Sequence, residues 1–138
     1  NVYVSNTLNA RIDVFDPEGK FLKRIGERGN SYGMFDKPKG VALDSFDNVY
    51  VVDSGWSNVQ IFNQQGEVLL FFGGRGENPG LLANPTGIAI DRQNRIYVAD
   101  FLNYRVSVYK LVDGTTAVPV SGSGDTSLTR AAATARAR

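Results

Sequence analysis

Short apolar segments separated by turn residues run through most of the chain. Near the middle, four such segments follow one another, each rich in aliphatic, β-branched or aromatic residues. They are Gly40–Asp44, Asn48–Val52, Val59–Phe62 and Val68–Phe72. Gly, Asn, Asp and Ser, which favour turns, occupy the breaks between them. No window of a dozen residues carries apolar positions at helical spacing. The pattern therefore predicts a four-stranded antiparallel sheet built from consecutive strands.

This pattern recurs along the chain at a fixed offset of 47 residues. The segments Asn1–Val4, Asn48–Val51 and Arg95–Val98 place tyrosines at positions 3, 50 and 97, and Pro38–Asp44 matches Pro85–Asp91. A sheet that is apolar on both faces cannot stand alone in water, so neighbouring copies must stack on each other. Repeats of this length with four strands are typical of β-propeller blades.

Several spaced motifs within the repeat resemble one class of propeller, the NHL repeat. They are Asp100–Val106, Gly66 before an apolar strand, Phe72-Gly73 with Gly76 and Gly80, Asn84–Asp91, and Ile96–Asp100. The resemblance covers roughly residues 1–112 and implies an all-β fold of NHL-type propeller blades, with an incomplete ring within this chain. NHL-repeat proteins are typically six-bladed propellers used for binding. Strands closed by Trp-Asp, the signature of another propeller class, are absent from the sequence.

Two copies depart from this pattern at charged positions next to one loop. We label the strands of a blade a to d from the central axis outwards. An Asp that precedes the b–c loop and an Arg that follows it, such as Asp100 and Arg105, can tie the loop with a charge-assisted bond. The first copy has Asn6 in place of the Asp, and the second has Asn58 in place of the Arg.

Counting strands divides the chain into one complete and two partial blades. We assign strands b, c and d of one blade to 1–37, a full blade with its following loop to 38–84, and strands a, b and c of a third blade to 85–112. The remainder, 113–138, is rich in Gly, Ser, Ala and Arg and predicts a linker or tail, because 115–120 matches a fourth strand poorly. Since a closed propeller needs four or more blades, we expect a stretch of a longer propeller. A ring assembled from several copies and an open stack with exposed apolar faces are the alternatives.

The amino-acid composition excludes several kinds of metal-binding and catalytic site. The sequence contains neither Cys nor His, which excludes disulfides, thiolate zinc sites and histidine-based triads from this segment. We predict no catalytic residues, no cofactor and no metal site. The net charge is +1, and 1–112 contains twelve basic and twelve acidic residues, which argues against a nucleic-acid partner. No apolar run is long enough for a transmembrane helix, so we expect no membrane insertion.

Two recurring features suggest chemistry but favour a structural interpretation. Asp44 and Asp91 each close an innermost strand, where carboxylates suit hard cations, yet their recurrence in each copy favours turn hydrogen bonds. The glycine-rich stretches 26–33 and 73–80 do not have the spacing of a phosphate-binding loop. We interpret them as the connections that lead from strand d of one blade to strand a of the next.

The b–c and d–a loops are expected to emerge on one rim of the stack. Aromatic residues and arginine are enriched where proteins bind partners. The predicted partner-binding residues on this rim are Trp56, Phe101, Tyr104, Tyr32, Arg28 and Arg75. By contrast, Phe35 and Leu82 occupy the same repeat position and are predicted to fill the seams between blades.

These observations favour a non-catalytic module that presents rim loops for protein–protein interaction or scaffolding. The predicted partner is a protein, or further blades of the same or another chain, including self-assembly. Part of a larger propeller hydrolase or lyase with its catalytic residues elsewhere, an RNA-binding NHL propeller, and a structural spacer remain alternatives. Tyr-rich strands without cysteine suit a secreted or cell-surface bacterial protein, although the residues do not fix the compartment.

Overall fold

The computed structural model describes residues 1–112 and 116–120, which form β-strands joined by turns and two short 3-10 helices. The strands are β1 Val2–Asn6, β2 Arg11–Phe15, β3 Phe21–Ile25, β4 Glu27–Arg28, β5 Met34–Phe35, β6 Pro38–Leu43, β7 Val49–Asp53, β8 Asn58–Phe62, β9 Val68–Gly73, β10 Pro85–Ile90, β11 Ile96–Asp100, β12 Arg105–Val112 and β13 Thr116–Pro119. The 3-10 helices are Thr7–Asn9 and Phe101–Asn103. No helix in the described part of the chain is long and apolar enough to cross a membrane.

Three antiparallel sheets follow one another along the chain, as the repeat predicts. The first sheet is β1-β2-β3, the second is β6-β7-β8-β9 and the third is β10-β11-β12-β13. Every strand within a sheet pairs with the next strand in sequence, which is the arrangement of a propeller blade. The loop between the first and second sheets also holds a short parallel pair, β4 and β5. A single bridge between Arg75 and Leu82 lies at the equivalent place in the next loop.

The third sheet has a fourth strand that the sequence pattern did not assign. β13 pairs with β12, with Leu111 opposite Ala117 and Lys110 opposite Val118. Ala117 is buried in the core shared with the second sheet, so the strand completes the blade beyond the boundary at 112. Its only branched aliphatic side chain is Val118, and Pro119 is tolerated because β13 lies at the edge of the sheet. These two features explain the poor match to a strand.

The second sheet is buried on both faces because its strands alternate between two cores. Val49 and Val51 of β7 pack in the core shared with the first sheet. Tyr50 and Val52 lie between them in sequence and pack in the core shared with the third sheet. Side chains of a strand point alternately to opposite faces, so a strand apolar at every position requires a neighbour on each side.

Two residues at the same repeat position fill the seams between sheets, as predicted. Phe35 and Leu82 are both fully buried. Phe35 packs in the core between the first and second sheets, and Leu82 packs in the core between the second and third. Each comes from the loop that enters the following sheet, so the connection itself contributes to the packing between neighbours.

The innermost strands of neighbouring sheets converge closely. A Cβ atom added at Gly40 of β6 would lie 3.0 Å from the backbone nitrogen of Ile88 and 3.1 Å from the Cα of Gly87, both in β10. Glycine therefore permits this approach of two backbones. Within 1–112 and 116–120, the first and third sheets share no core, so the three sheets form an arc of blades around a common inner edge.

Candidate binding surface

An aspartate–arginine pair closes the b–c loop of the third sheet. Arg105 Nε donates a hydrogen bond of 2.9 Å to Oδ2 of Asp100, whose side chain is fully buried. Asn103 Nδ2 donates to the same oxygen at 2.8 Å. The charge-assisted tie expected from the sequence is therefore present, and it fixes the loop that carries Phe101 and Tyr104.

The first sheet keeps an ion pair at this place, with its carboxylate moved. Asn6 occupies the position of Asp100, and Asn6 Nδ2 donates to Asp13 Oδ2 at 2.8 Å. Arg11, at the position of Arg105, places its Nε 2.8 Å from Asp13 Oδ1. Asp13 on the neighbouring strand thus supplies the charge that Asn6 lacks, and an acid–arginine pair is retained.

Hydrogen bonds join the b–c loops to the d–a loops at one end of the stack. Arg28 Nη2 donates to the carbonyl of Leu8 at 2.9 Å, and Arg75 Nη2 donates to the carbonyl of Gly55 at 3.1 Å. The two arginines are 47 residues apart, as are the two acceptors. Both predicted rim arginines therefore support the loops, and the same repeat contact defines a continuous surface, which we call the rim.

The four aromatic residues predicted from the sequence are all exposed at the rim, in two groups. Tyr32 and Trp56 are 52% and 42% exposed and line one cavity of about 200 Å³, together with Phe71. Phe101 and Tyr104 are 60% and 93% exposed and lie at the b–c loop of the third sheet. The first pair therefore lies in a recess of the rim, whereas the second pair projects into solvent.

Tyr104 combines high exposure with an unfavourable backbone conformation. Its φ is 54°, in the left-handed region. Residues other than glycine seldom adopt this conformation, and bulky ones least of all. The equivalent residues Ala10 and Ser57 have φ values of 51° and 54°. The b–c turn therefore imposes this conformation on every copy, and the third copy holds a large ring there without burying it.

Sequence reasoning missed two features of the rim. Leu8 is 89% exposed on the b–c loop of the first sheet, and no aromatic residue marked that position. The cavity beside Tyr32 and Trp56 was not predicted either. Its signal was present in the sequence, because Asn58, where the third copy has Arg105, is among the residues that line it.

The two strand-closing aspartates lie in turn networks, as interpreted from the sequence. Asp44 Oδ1 accepts hydrogen bonds from the backbone of Phe46 and Asn48, and Oδ2 accepts from Tyr50 Oη at 3.0 Å. Burial, reinforced by the charge of Asp44, raises the pKa of Tyr50 well above its usual range.

Asp91 has the same arrangement in the third sheet. Oδ1 accepts from the backbone of Gln93 and Arg95, and Oδ2 accepts from the Arg95 guanidinium at 2.6 Å and from Tyr97 Oη at 3.0 Å. Partial desolvation acts to raise the pKa of Asp91, but the hydrogen bonds from Arg95, Tyr97 and Gln93 outweigh it and lower this pKa to about 2. Across 1–112 and 116–120, no three acidic side chains are grouped to hold a metal ion.

Comparison with protein families identifies the repeat. Residues 82–109 match the family model of the NHL repeat. The matched stretch contains β10, β11, the 3-10 helix Phe101–Asn103 and most of β12, and so includes the Asp100–Arg105 tie. No curated protein matches the sequence. The chain therefore carries an NHL repeat at residues 82–109, and its stacked antiparallel sheets fit β-propeller blades of that type.

Proposed function

We propose that the rim binds a protein partner, and that the stacked sheets act as a rigid scaffold which presents the b–c and d–a loops without covalent chemistry. The observation that carries this proposal is the exposure of Tyr32, Trp56, Phe101 and Tyr104 on loops that are hydrogen-bonded to one another. Aromatic residues on a preorganised surface bury large areas on binding at low cost in conformational entropy.

The electrostatics of the rim favour a protein over RNA. Arg105 is paired with Asp100, and Arg28 lies 3.6 Å from Asp36 and also donates to a loop carbonyl. Arg75 donates to a loop carbonyl as well. Two of these three arginines are therefore paired with a carboxylate, whereas an RNA-binding surface presents unpaired basic groups that neutralise phosphates.

Site-directed photo-crosslinking tests this proposal in the full chain. A photoreactive phenylalanine analogue is placed at Tyr104 in one variant and at Phe46 in another. Phe46 is a matched control, because it is 78% exposed but lies in the turn between β6 and β7, at the opposite end of the sheet from the b–c loop. Crosslinking is carried out in an extract of the source cells, and products are identified by mass spectrometry.

We expect a defined protein adduct at position 104 that is absent at position 46. The adduct should weaken when Trp56→Ala or Phe101→Ala is added to the Tyr104 variant. Equal labelling at both positions, or adducts with RNA at position 104, would contradict the proposal.

A further inference from the structure

The guanidinium of Arg105 is held by a set of oxygen acceptors from the d–a loop. Besides its bond to Asp100, Nη1 donates to the carbonyl of Glu77 at 2.9 Å. Nη2 donates to the carbonyls of Asn78 at 3.2 Å and Leu81 at 2.8 Å. This loop is thus shaped to bind a planar guanidinium, because its oxygens lie where the N–H groups point.

The second sheet repeats this loop but not the arginine. Asn58 pairs with Asp53 in the register of β7 and β8, as Arg105 pairs with Asp100 in the register of β11 and β12. Asn58 is too short to reach the loop carbonyls. The cavity of about 200 Å³ lies there instead, and Asn30, Ser31 and Met34, which line it, are the residues 47 positions before Glu77, Asn78 and Leu81.

The polar groups around this cavity favour a cation. Asp53, opposite Asn58 in the register of β7 and β8, does not line the cavity; it is fully buried, and four backbone N–H groups take the place of the basic side chain that Asp100 has. Asn58 Oδ1 is buried and has no hydrogen-bond partner in the described part of the chain. The carbonyl of Met34 accepts from Gln60 Nε2 at 2.8 Å, which leaves its second lone pair. Buried acceptors without donors are costly, so an incoming donor would be stabilised.

The remaining wall of the cavity is aromatic. The rings of Tyr32 and Phe71 are 4.8 Å apart between centroids. Trp56 lies beside them and its Nε1 donates to the carbonyl of Gly29 at 3.2 Å, which fixes the indole. Aromatic faces bind cations, and the flat, weakly hydrated guanidinium stacks on them better than an ammonium does.

We propose that this cavity is a binding site for the guanidinium of an arginine side chain supplied by the protein partner. This proposal rests on the proposed function of the rim and specifies which side chain of the partner the rim binds. The partner's arginine takes the place at the second blade that Arg105 takes within the third. Its contacts are the loop carbonyls, the amide oxygen of Asn58 and the ring of Trp56.

Titration with N-acetyl-arginine amide tests the site without a partner. Trp56 is the only tryptophan in the sequence, so the indole N–H gives a single tryptophan signal in a ¹H–¹⁵N correlation spectrum of the full chain. The matching lysine amide carries the charge without the planar group, and the citrulline amide carries a planar group without the charge. We expect a saturable shift of the Trp56 signal with the arginine amide, with an affinity in the millimolar range that is ordinary for one side chain. The shift should be at least several-fold weaker with lysine and absent with citrulline.

The substitution Asn58→Arg provides an internal competitor, because the new side chain would occupy the cavity as Arg105 does in the third blade. We expect this variant to fold, to show a displaced Trp56 signal without ligand, and to lose the response to the arginine amide. Asn58→Leu is a second variant of nearly the same shape, which removes the amide oxygen without adding a guanidinium and should weaken the response. The response should persist in Lys110→Ala, since Lys110 lies on β12, away from the cavity.

Equal shifts with citrulline and arginine, or an undiminished response in Asn58→Arg, would overturn the inference. No saturable shift with the arginine amide in the wild-type chain would also overturn it. In that case an adduct at position 104 would still support the rim as a protein-binding surface, so the two proposals can fail separately.

Discussion

Arg105 reaches across the b–c loop of the third blade to Asp100, with Nε 2.9 Å from Oδ2. The same guanidinium donates to three carbonyls of the preceding d–a loop. One side chain therefore holds together two loops that come from different blades, and does so at the rim where the exposed aromatic residues lie. The geometry of the rim depends on this contact.

Replacement of Arg105 by alanine is expected to destabilise the chain by about 2–3 kcal/mol. The substitution leaves Asp100 buried without its cation and removes the donors of three carbonyls. The measurement is urea unfolding followed by circular dichroism, with the midpoint compared at unchanged m value. Asp36→Asn is the control, because the pair of Asp36 with Arg28 is exposed and should contribute less than about 1 kcal/mol. Similar losses of stability in both variants would show that the buried pair of Arg105 with Asp100 contributes no more than the exposed pair of Arg28 with Asp36.

Two glycines with positive φ should differ in their tolerance of alanine. Gly19 has φ 86° with no atom within 4 Å of an added Cβ, so Gly19→Ala should cost only the backbone strain, about 1 kcal/mol. Gly26 has φ 76°, and an added Cβ would meet the ring of Phe35, which is fully buried. Gly26→Ala should therefore cost about 3 kcal/mol, because overpacking adds to the strain. Thermal unfolding of both variants measures the difference. Equal losses of stability would show that the packing around Phe35 adjusts to the added methyl group.

Tyr104 should be replaceable with a gain in stability. Asparagine tolerates the left-handed conformation better than tyrosine does, and the ring at this position is 93% exposed, so Tyr104→Asn is expected to stabilise the fold by about 0.5 kcal/mol. Tyr104→Val also removes the ring but places a β-branched residue at positive φ, and it should destabilise the fold by about 1 kcal/mol. Unfolding by urea distinguishes the two. A loss of stability in Tyr104→Asn would mean that the ring packs within the fold.

The stability contributed by Asp91 should disappear in acid. The pKa of Asp91 is about 2 in the folded chain and 3.8 ordinarily. Between these values the unfolded chain binds more protons, so stability falls as the pH falls from about 4 to about 2. The thermal midpoints of the wild type and Asp91→Asn should therefore differ most above about pH 4 and converge near pH 2. A difference that stays constant down to pH 2 would contradict the assignment of this network.

The sequence predicted the stack of sheets because the burial that its apolar strands require can be met only by neighbouring sheets. A strand such as β7, apolar at nearly every position, needs neighbours on both faces, and the constant offset of 47 residues shows that those neighbours are copies. Phe35 and Leu82 could be assigned to seams for the same reason. β13 could not be recognised, because an edge strand with Val118 as its only branched aliphatic side chain leaves little pattern to detect.

The candidate site was predictable only in part. Exposure of Trp56 and Tyr104 follows from their places on loops that vary between copies. The left-handed φ of Tyr104 carried no local signal, since Ala10 and Ser57 at the same position are not residue types that favour positive φ either. Asn58 in place of an arginine marks where the cavity lies, but the loop carbonyls around it could not be predicted, because hydrogen-bond acceptors of the backbone leave no trace in a sequence.

The two-sided burial of β7 has a consequence for the dynamics of the molecule. All five residues of Val49–Asp53 are buried, so the amides of this strand can meet solvent only if the second blade separates from one neighbour and its own sheet opens as well. These amides should be the slowest in the chain to exchange with deuterium, and their protection should approach the free energy of global unfolding. The middle blade would then act as the cooperative unit to which the loops of the rim are anchored, and motion at the rim would not require the blade to open.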